Sequence, residues 1–396
     1  MIPSTARLGL IADRDTQSAT LLETLLPLAL SRLAEQYIDG EFVFTTTGEA
    51  APGGGWTLRP AGRSVRYAAI VALGLLRVGE PEQRTVLAGQ TAADLVGQLT
   101  KRLDEVSSTG DVALICWAAA EAGHSDLPHA LARLGQLDSG QAPLDVVSAS
   151  WVVSALVVAR AQADVEEQLA AARQRLLGAR GDGCYPHLTG SGPWYRAHVG
   201  SFADQVYPIQ ALARLHGSAA DPEALAVANA VARAICDAQG PAGQWWWHYD
   251  SRTGAVVEGY PVYTVHQHAM APMALLDLAD AGGDAHLAEI CRGLRWLAAP
   301  PEAPANGIAA GSTPAGSTPA APAGSTVQLV LEDPPITWRK IARADHRKLV
   351  RGVRAASTRL HPRTRLAVLD RMYPPGAVDY ECRPYELGWL LLTWLS

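Results

Sequence analysis

Apolar residues recur at helical spacing along most of this chain. Leucines line one side of a helix over 17–37, and the same periodicity predicts helices over 64–76, 92–106, 111–122, 127–134, 144–161 and 165–177. It continues over 204–216, 222–238, 265–281 and 284–298, then through a basic stretch at 338–360, and ends at 384–395. Clusters of Gly, Pro and Asp separate these segments, as helix stop signals should. The one early strand signal, 40–47, is followed by a Gly-rich turn at 53–55 and predicts a small β-hairpin near residues 40–60.

Loops rich in Gly, Asp and aromatic residues recur between the helices. G-D-G-C-Y-P follows the helix ending near 177, Q-G-P-A-G-Q-W follows the one ending near 238, and V-D-Y-E-C-R-P-Y precedes the last. Repeated helix–loop–helix units with loops gathered on one face predict an all-α fold, an (α/α)6 toroid of helical hairpins. Residues 301–326 repeat G-S-T-P-A and cannot bury a core, so they read as a flexible insert within one domain spanning 1–396. The residues after the insert are few for an independent core.

Composition narrows the function. The net charge of −6 lacks the basic face that nucleic-acid binding needs. No apolar run reaches the length of a membrane span, and the first residues lack a basic segment leading into a long apolar one, so a cytoplasmic protein is expected. The 5 cysteines are scattered without a CxxC pair, which fits a reducing compartment. Phe numbers only 3 against 11 Trp and 11 Tyr, so the aromatic rings mostly carry a hydrogen-bonding handle.

Candidate chemistry concentrates in 239–273, where Trp245, Trp246 and Trp247 stand beside His248 and Asp250, with Glu258, Tyr260, Tyr263, His266, Gln267 and His268 following. Buried polar groups are costly unless paired, whereas a concave, wet, aromatic-lined pocket suits this mixture. A second cluster holds Trp194, Tyr195, Arg196 and His198 in a loop, then Asp204 at a helix start, where the macrodipole favours an acid. A capping role would also explain Asp204. A third cluster, before the last helix, holds Asp379, Tyr380, Glu381, Arg383 and Glu386; Glu381 is a candidate second carboxylate opposite Asp204, with an ion pair to Arg383 or another arginine the plainer expectation. Arg63 and Arg66, near another helix start, offer cations for an anionic substrate or a solvated surface.

The runs F-A-D-Q-V-Y-P-I-Q-A-L-A (202–213), Q-G-P-A-G-Q-W-W-W-H-Y-D (239–250) and A-M-A-P-M-A-L (269–275) resemble the unsaturated glucuronyl and rhamnogalacturonyl hydrolases. That resemblance implies an (α/α)6 toroid, Asp204 as general acid/base, and His248 with the neighbouring Trp residues binding a uronic sugar. The match does not extend into the first 150 residues, and the Arg-Gly-Asn-Gly-Trp run expected after the loop is here V-Y-T-V-H-Q-H (262–268). Gln239, Gly243 and Trp245 also satisfy Q-x-x-x-G-x-W, similar to the QW repeat of squalene and other triterpene cyclases, where Gln and Trp brace a loop. The chain has no Asp-x-Asp-Asp acid motif. D-G-C-Y (182–185) is similar to the zinc-binding Asp-x-Cys of protein prenyltransferases, which would make Asp182, Cys184 and His266 ligands; a plain Gly-Asp-Gly turn is the competing explanation.

Sugars present apolar C–H faces and a hydroxyl rim, which Trp rings and Asp, His, Gln and Arg side chains match. Hydrolysis of an unsaturated uronide needs an acid to protonate an enol ether and a base to activate water. A carbocation cyclase wants a dry pocket of Phe, Leu, Met and Tyr, and Phe and Met are scarce here. The expectation is therefore an enzyme on an acidic oligosaccharide, a glycoside hydrolase, lyase or epimerase needing no cofactor or metal. A terpene-cyclase-like or prenyltransferase-like enzyme is the alternative, and a noncatalytic glycan- or peptide-binding toroid the third.

Overall fold

In the computed structural model, which describes residues 5–138, 142–304, 326–343 and 349–396, twelve helices alternate between an outer and an inner layer. The outer helices are α1 (Thr16–Gln36), α3 (Ala92–Thr100), α5 (Leu127–Leu137), α7 (Glu166–Gly178), α9 (Pro222–Asp237) and α11 (Leu287–Ala298). The inner ones are α2 (Val65–Leu75), α4 (Thr109–Glu121), α6 (Val146–Ala159), α8 (Ala203–Ala219), α10 (Ala271–Asp280) and α12 (Pro384–Trp394). Each inner helix packs on the next, and α12 packs back on α2, so six inner helices close a ring: an (α/α)6 toroid.

The sequence explains the layering. The inner helices are apolar around most of their circumference; nearly all of α4 and α6 is buried. The outer helices bury one stripe, as in α9 and α11. The ring closes where α2 meets α12 backbone to backbone. A Cβ on Gly74 would lie 2.4 Å from the Gly388 carbonyl oxygen, and one on Gly388 would lie 2.9 Å from that of Ile70.

The C-terminal ends of the inner helices meet in a buried ionic plug. Arg77 pairs with Glu121 (2.6 Å), Arg214 with Asp277 (2.6 Å), and Arg7, from the short helix Ala6–Ala12, with Asp277 (2.5 Å) and the Thr393 carbonyl oxygen (2.9 Å). Cations at helix C-termini oppose the negative dipole ends. Burial pushes Asp277 up, but Arg214 and Arg7 outweigh it and hold the carboxyl below its ordinary value. This end is sealed, which leaves the N-terminal end as the mouth.

The hairpin expected near 40–60 is present, Thr45–Ala50 pairing with Trp56–Ala61, and Glu381–Cys382 joins it as a third strand. Three departures from the periodicity matter. The predicted helix at 92–106 stops at Thr100 and is followed by a 3-10 turn, Leu103–Glu105. Among its described residues, the predicted helix at 338–360 is helical over Leu349–Leu360. Its first part is the strand Lys340–Arg343, held between Val262–Tyr263 and Pro375–Asp379, so tertiary pairing overrode local pattern. Finally, the segment 265–281 opens with a π turn, His266–Met270, before α10. Most of the predicted insert, 305–325, lies outside the described residues; Pro304 and Thr326 flank it as a β-bridge.

Candidate active site

At the mouth, four inner helices begin with an acid: Asp111 in α4, Asp145 capping α6, Asp204 in α8 and Glu386 in α12. A helix N-terminus stabilises negative charge, so each acid sits where its own helix favours it. Between them an aromatic floor crosses the ring. Trp151 lies edge-on to Tyr207 (5.2 Å between ring centres), Tyr207 reaches Trp389 (5.8 Å), and Trp389 reaches Trp117 (5.9 Å). Arg66 lies over Trp151 at 5.4 Å, anchored by its Nε to Asp111 (2.5 Å). Its Nη atoms have no hydrogen-bond partner among the described residues.

Asp204 is fully buried and its carboxylate is crowded with donors. Ser201 donates from its backbone N–H (2.6 Å) and its hydroxyl (2.8 Å), and His187 Nδ1 lies 3.3 Å from both oxygens. The His187 side chain is 51 % exposed while that of Asp204 is 0 % exposed. Burial raises the Asp204 carboxyl above its ordinary value, opposed by His187 and Ser201. The hydrogen bond to Asp204 raises His187, with Asp145 adding to it, against its own burial and Arg196.

The backbone around His187 is held on both sides. Its carbonyl accepts from the Val146 N–H (2.9 Å) and its N–H donates to the Val199 carbonyl oxygen (3.2 Å). Gln205, on α8, accepts from the Tyr185 N–H (2.7 Å) and donates to the Tyr185 carbonyl oxygen (3.0 Å). A Cβ on Gly200 would come within 2.0 Å of that same oxygen, so this strand position needs glycine.

His248 sits on the strand His248–Asp250, opposite Ser201, and is almost fully buried. Burial, reinforced by Arg351, Arg196 and His187, holds its imidazole well below its ordinary value, so it is neutral and able to hydrogen-bond a hydroxyl. Trp247 stacks on His266 (6.0 Å) and meets Tyr263 (4.9 Å), with Arg351 over its ring at 5.5 Å. Beyond it opens a cavity of about 310 Å³, lined among others by Trp247, Glu258, Tyr260, Tyr263, Arg343 and Arg351. Glu258 is paired there with Arg343 (3.3 Å) and Arg354 (3.1 Å).

Several expected site residues have other duties. Trp245 is fully buried against Phe202, and Trp246 donates its indole N–H to the Ala238 carbonyl oxygen (2.8 Å). Gln267 accepts from the Trp245 N–H (3.4 Å), while Gln239 donates to the Gly243 and Glu289 carbonyl oxygens (both 2.9 Å), so the Q-x-x-x-G-x-W run braces its loop on α11. Asp250 is chelated by Arg252 (2.7 Å and 3.0 Å) in a tight turn. His268 is buried inside the ring, where desolvation holds it at about 3. His266 packs between Trp247 and Phe202, and burial drives it well below its ordinary value. His198 bonds Thr358 (3.0 Å), tying the helix Leu349–Leu360 down beside the mouth. Tyr380 belongs to a ring cluster with Trp56 and Trp338, and Glu381 pairs with Arg383 (2.8 Å) as expected. Arg383 also donates to Tyr67 (3.2 Å) at the rim. Trp194 and Tyr195 stand in an exposed loop, Trp194 67 % exposed. Arg63 is an exposed partner of Asp39 and Glu41.

Asp182, Cys184 and His266 do not come together as a ligand set, since no group of three or more His, Cys, Asp or Glu able to hold a metal occurs among the described residues. Burial pushes the Cys184 thiol up to about 12. The residues that the sequence pattern did not single out are His187, Trp151, Tyr207, Trp389, Asp111 and Asp145; Glu386 was visible in the cluster before the last helix. The acids carried one signal, their place in the first turn or at the cap of a predicted helix; His187, at the end of G-D-G-C-Y-P-H, carried none.

No protein-family model matches this chain, and no curated protein does. Solved structures do. An unsaturated glucuronyl hydrolase specific for heparin is similar over 96 % of this chain and 96 % of its own, with 14 % identity and a TM-score of 0.53. The unsaturated glucuronyl hydrolase of Streptococcus agalactiae is similar over 100 % of this chain and 96 % of its own, with 9 % identity and a TM-score of 0.57. The cellobiose 2-epimerase of Bacillus thermoamylovorans is similar over 87 % and 98 %, with 11 % identity and a TM-score of 0.50. At these identities the likeness is one of fold: the chain is an α/α toroid of the kind on which those sugar-active proteins are built.

Proposed function

We propose that this protein is a carbohydrate-active enzyme that acts on an acidic oligosaccharide by proton transfer, and that its reaction is the hydrolysis of an unsaturated uronide. The observation that carries this is the half-exposed His187, backed by the buried Asp204, at a mouth beside Trp151 and Tyr207, with Arg66 held over Trp151. Aromatic faces suit the C–H faces of a sugar ring. Arg66, fixed by Asp111, offers its Nη atoms to a carboxylate in the forked geometry that guanidinium groups favour. His248, neutral and buried beside the pair, fits a sugar hydroxyl. The cavity beyond Trp247 gives room for the further sugars of an oligosaccharide.

Cleavage of an ordinary glycosidic bond uses two carboxylates flanking it. Hydration of an enol ether needs one proton donor that later serves as base to water, which a single buried carboxylate–imidazole pair can supply. The sealed end of the ring and the structural similarity to glucuronyl hydrolases agree with a substrate entering at the helix N-termini. A melting screen tests the proposal with unsaturated uronic oligosaccharides, neutral oligosaccharides, and prenyl diphosphates with and without magnesium. A ligand at about 100 times its Kd stabilises the folded state by about 2.7 kcal/mol. Stabilisation by the uronides alone is expected; stabilisation by a prenyl diphosphate alone would replace this proposal with isoprenoid chemistry.

A further inference from the structure

We infer that His187, rather than Asp204, is the group that meets the substrate, and that Asp204 is its positioning residue. The inference rests on the proposed proton-transfer reaction but reassigns who performs it. Asp204 has no exposed surface, and its oxygens are already engaged by Ser201 and by His187 Nδ1. A carboxylate so enclosed has no face to present to a sugar. His187 is half exposed, and it turns Nδ1 toward Asp204, which leaves Nε2 on its open side. Its backbone is held by Val146 and Val199, and that of Tyr185, two residues earlier, by Gln205, so the segment that carries the ring is anchored.

The charge pattern agrees. Asp204 and Asp145 face the imidazole with negative charge, Arg196 opposes them, and His248 beside it is neutral. Asp204 accepts a hydrogen bond from Nδ1–H, which fixes that tautomer and favours the charged imidazole. In the reaction, protonated Nε2 gives its proton to the enol-ether carbon of the uronide, leaving an oxocarbenium ion. Water adds to that ion and returns a proton to Nε2. The sum is addition of one water: the C5 hemiketal opens to a ketone by releasing the ring oxygen, which leaves C1 as a hemiacetal that becomes an aldehyde as it releases the next sugar as an alcohol; no other reactant is needed.

The test uses the full chain and two independent readouts. The first is NMR titration of ring-labelled histidine in wild type and Asp204→Asn, which needs no substrate. The His187 resonance is expected to titrate above the ordinary histidine range in wild type and to fall in Asp204→Asn; an unchanged titration overturns the pairing. The second is turnover of an unsaturated glucuronyl disaccharide by His187→Gln and His187→Ala. Losses of about 10²–10⁴-fold in kcat are expected, with melting temperatures unchanged and partial rescue of His187→Ala by added imidazole. A His187→Gln enzyme as fast as wild type, beside an inactive Asp204→Asn, would show that Asp204 acts directly and overturn the inference. If no uronide is turned over by wild type, the proposed reaction fails, and with it the role of His187, even where the titration upholds the pair.

Discussion

Replacing Gly200 by alanine perturbs the site without touching any group that does chemistry. The added Cβ would lie 2.0 Å from the Tyr185 carbonyl oxygen and 2.7 Å from Gln205 Nε2. Contacts of this kind settle at roughly 3.5 Å, so the Tyr185–His187 segment must retreat by more than about 1 Å, breaking the Gln205 clamp. Overpacking of this order costs about 1–3 kcal/mol. With an unfolding entropy of about 2.1 cal/mol/K per residue, that lowers the melting temperature of a chain this long by only about 1–4 °C. The rate should suffer far more, because misplacing a reacting group by about 1 Å costs on the order of 10²-fold. Gly217→Ala, in the same inner helix as Asp204 with nothing within 4 Å of the added Cβ, is the control and should gain about 0.5–1 kcal/mol. Calorimetry together with kcat/KM on an unsaturated glucuronyl disaccharide decides the matter. A Gly200→Ala protein that melts and turns over like wild type would refute the claim that this strand holds His187 in place.

Three further outcomes are expected. His187 is raised by Asp204, so its charged form and the stability it lends are present below the ordinary value near 6.5 and are lost as pH rises through the raised value; the alkaline fall in activity should follow the same limb and shift to lower pH in Asp204→Asn, which a pH–rate profile measures. Arg66→Met should raise KM for a uronide by about tenfold or more while leaving binding of the matching neutral sugar unchanged, as paired calorimetric titrations would report. Asp277→Asn should destabilise by about 3 kcal/mol, because it removes the buried carboxylate that Arg214 and Arg7 share and leaves them the more exposed Asp280 and the more distant Glu121. Since Asp277 is held below its ordinary value, the wild-type contribution persists at neutral pH and disappears on acidification through that depressed value, so the two proteins should converge in stability at low pH.

How far the sequence carried depends on what each feature needed. The ring of helices was legible because the inner helices α4 and α6 are apolar nearly all round and the outer α9 and α11 on one stripe, a local pattern that periodicity reports directly. The strand Lys340–Arg343 was not, since its conformation comes from partners at Val262–Tyr263 and Pro375–Asp379, distant in sequence. The triple tryptophan run stood out by composition, yet two of its rings serve packing and only Trp247 lines the cavity. Asp204 was found through the polar-aromatic cluster at 194–212 and the resemblance of 202–213 to glucuronyl hydrolases. Its partner His187 comes from a loop that only the pairing of Val199 and Val146 with that loop brings alongside. Arg66 was visible as a cation near a helix start, but its place over Trp151, two inner helices further round the ring, required the closed fold.

The proposed reaction is hydration of an unsaturated uronide with a proton carried by the Asp204–His187 pair. The most direct measurement is the ultraviolet absorbance of an unsaturated glucuronyl disaccharide, whose conjugated enol ether bleaches as water adds. Bleaching is expected with the wild-type protein and should all but stop in both Asp204→Asn and His187→Gln. Absorbance that stays constant with the folded wild-type protein across a panel of unsaturated uronides, or bleaching that persists in both variants, would contradict it.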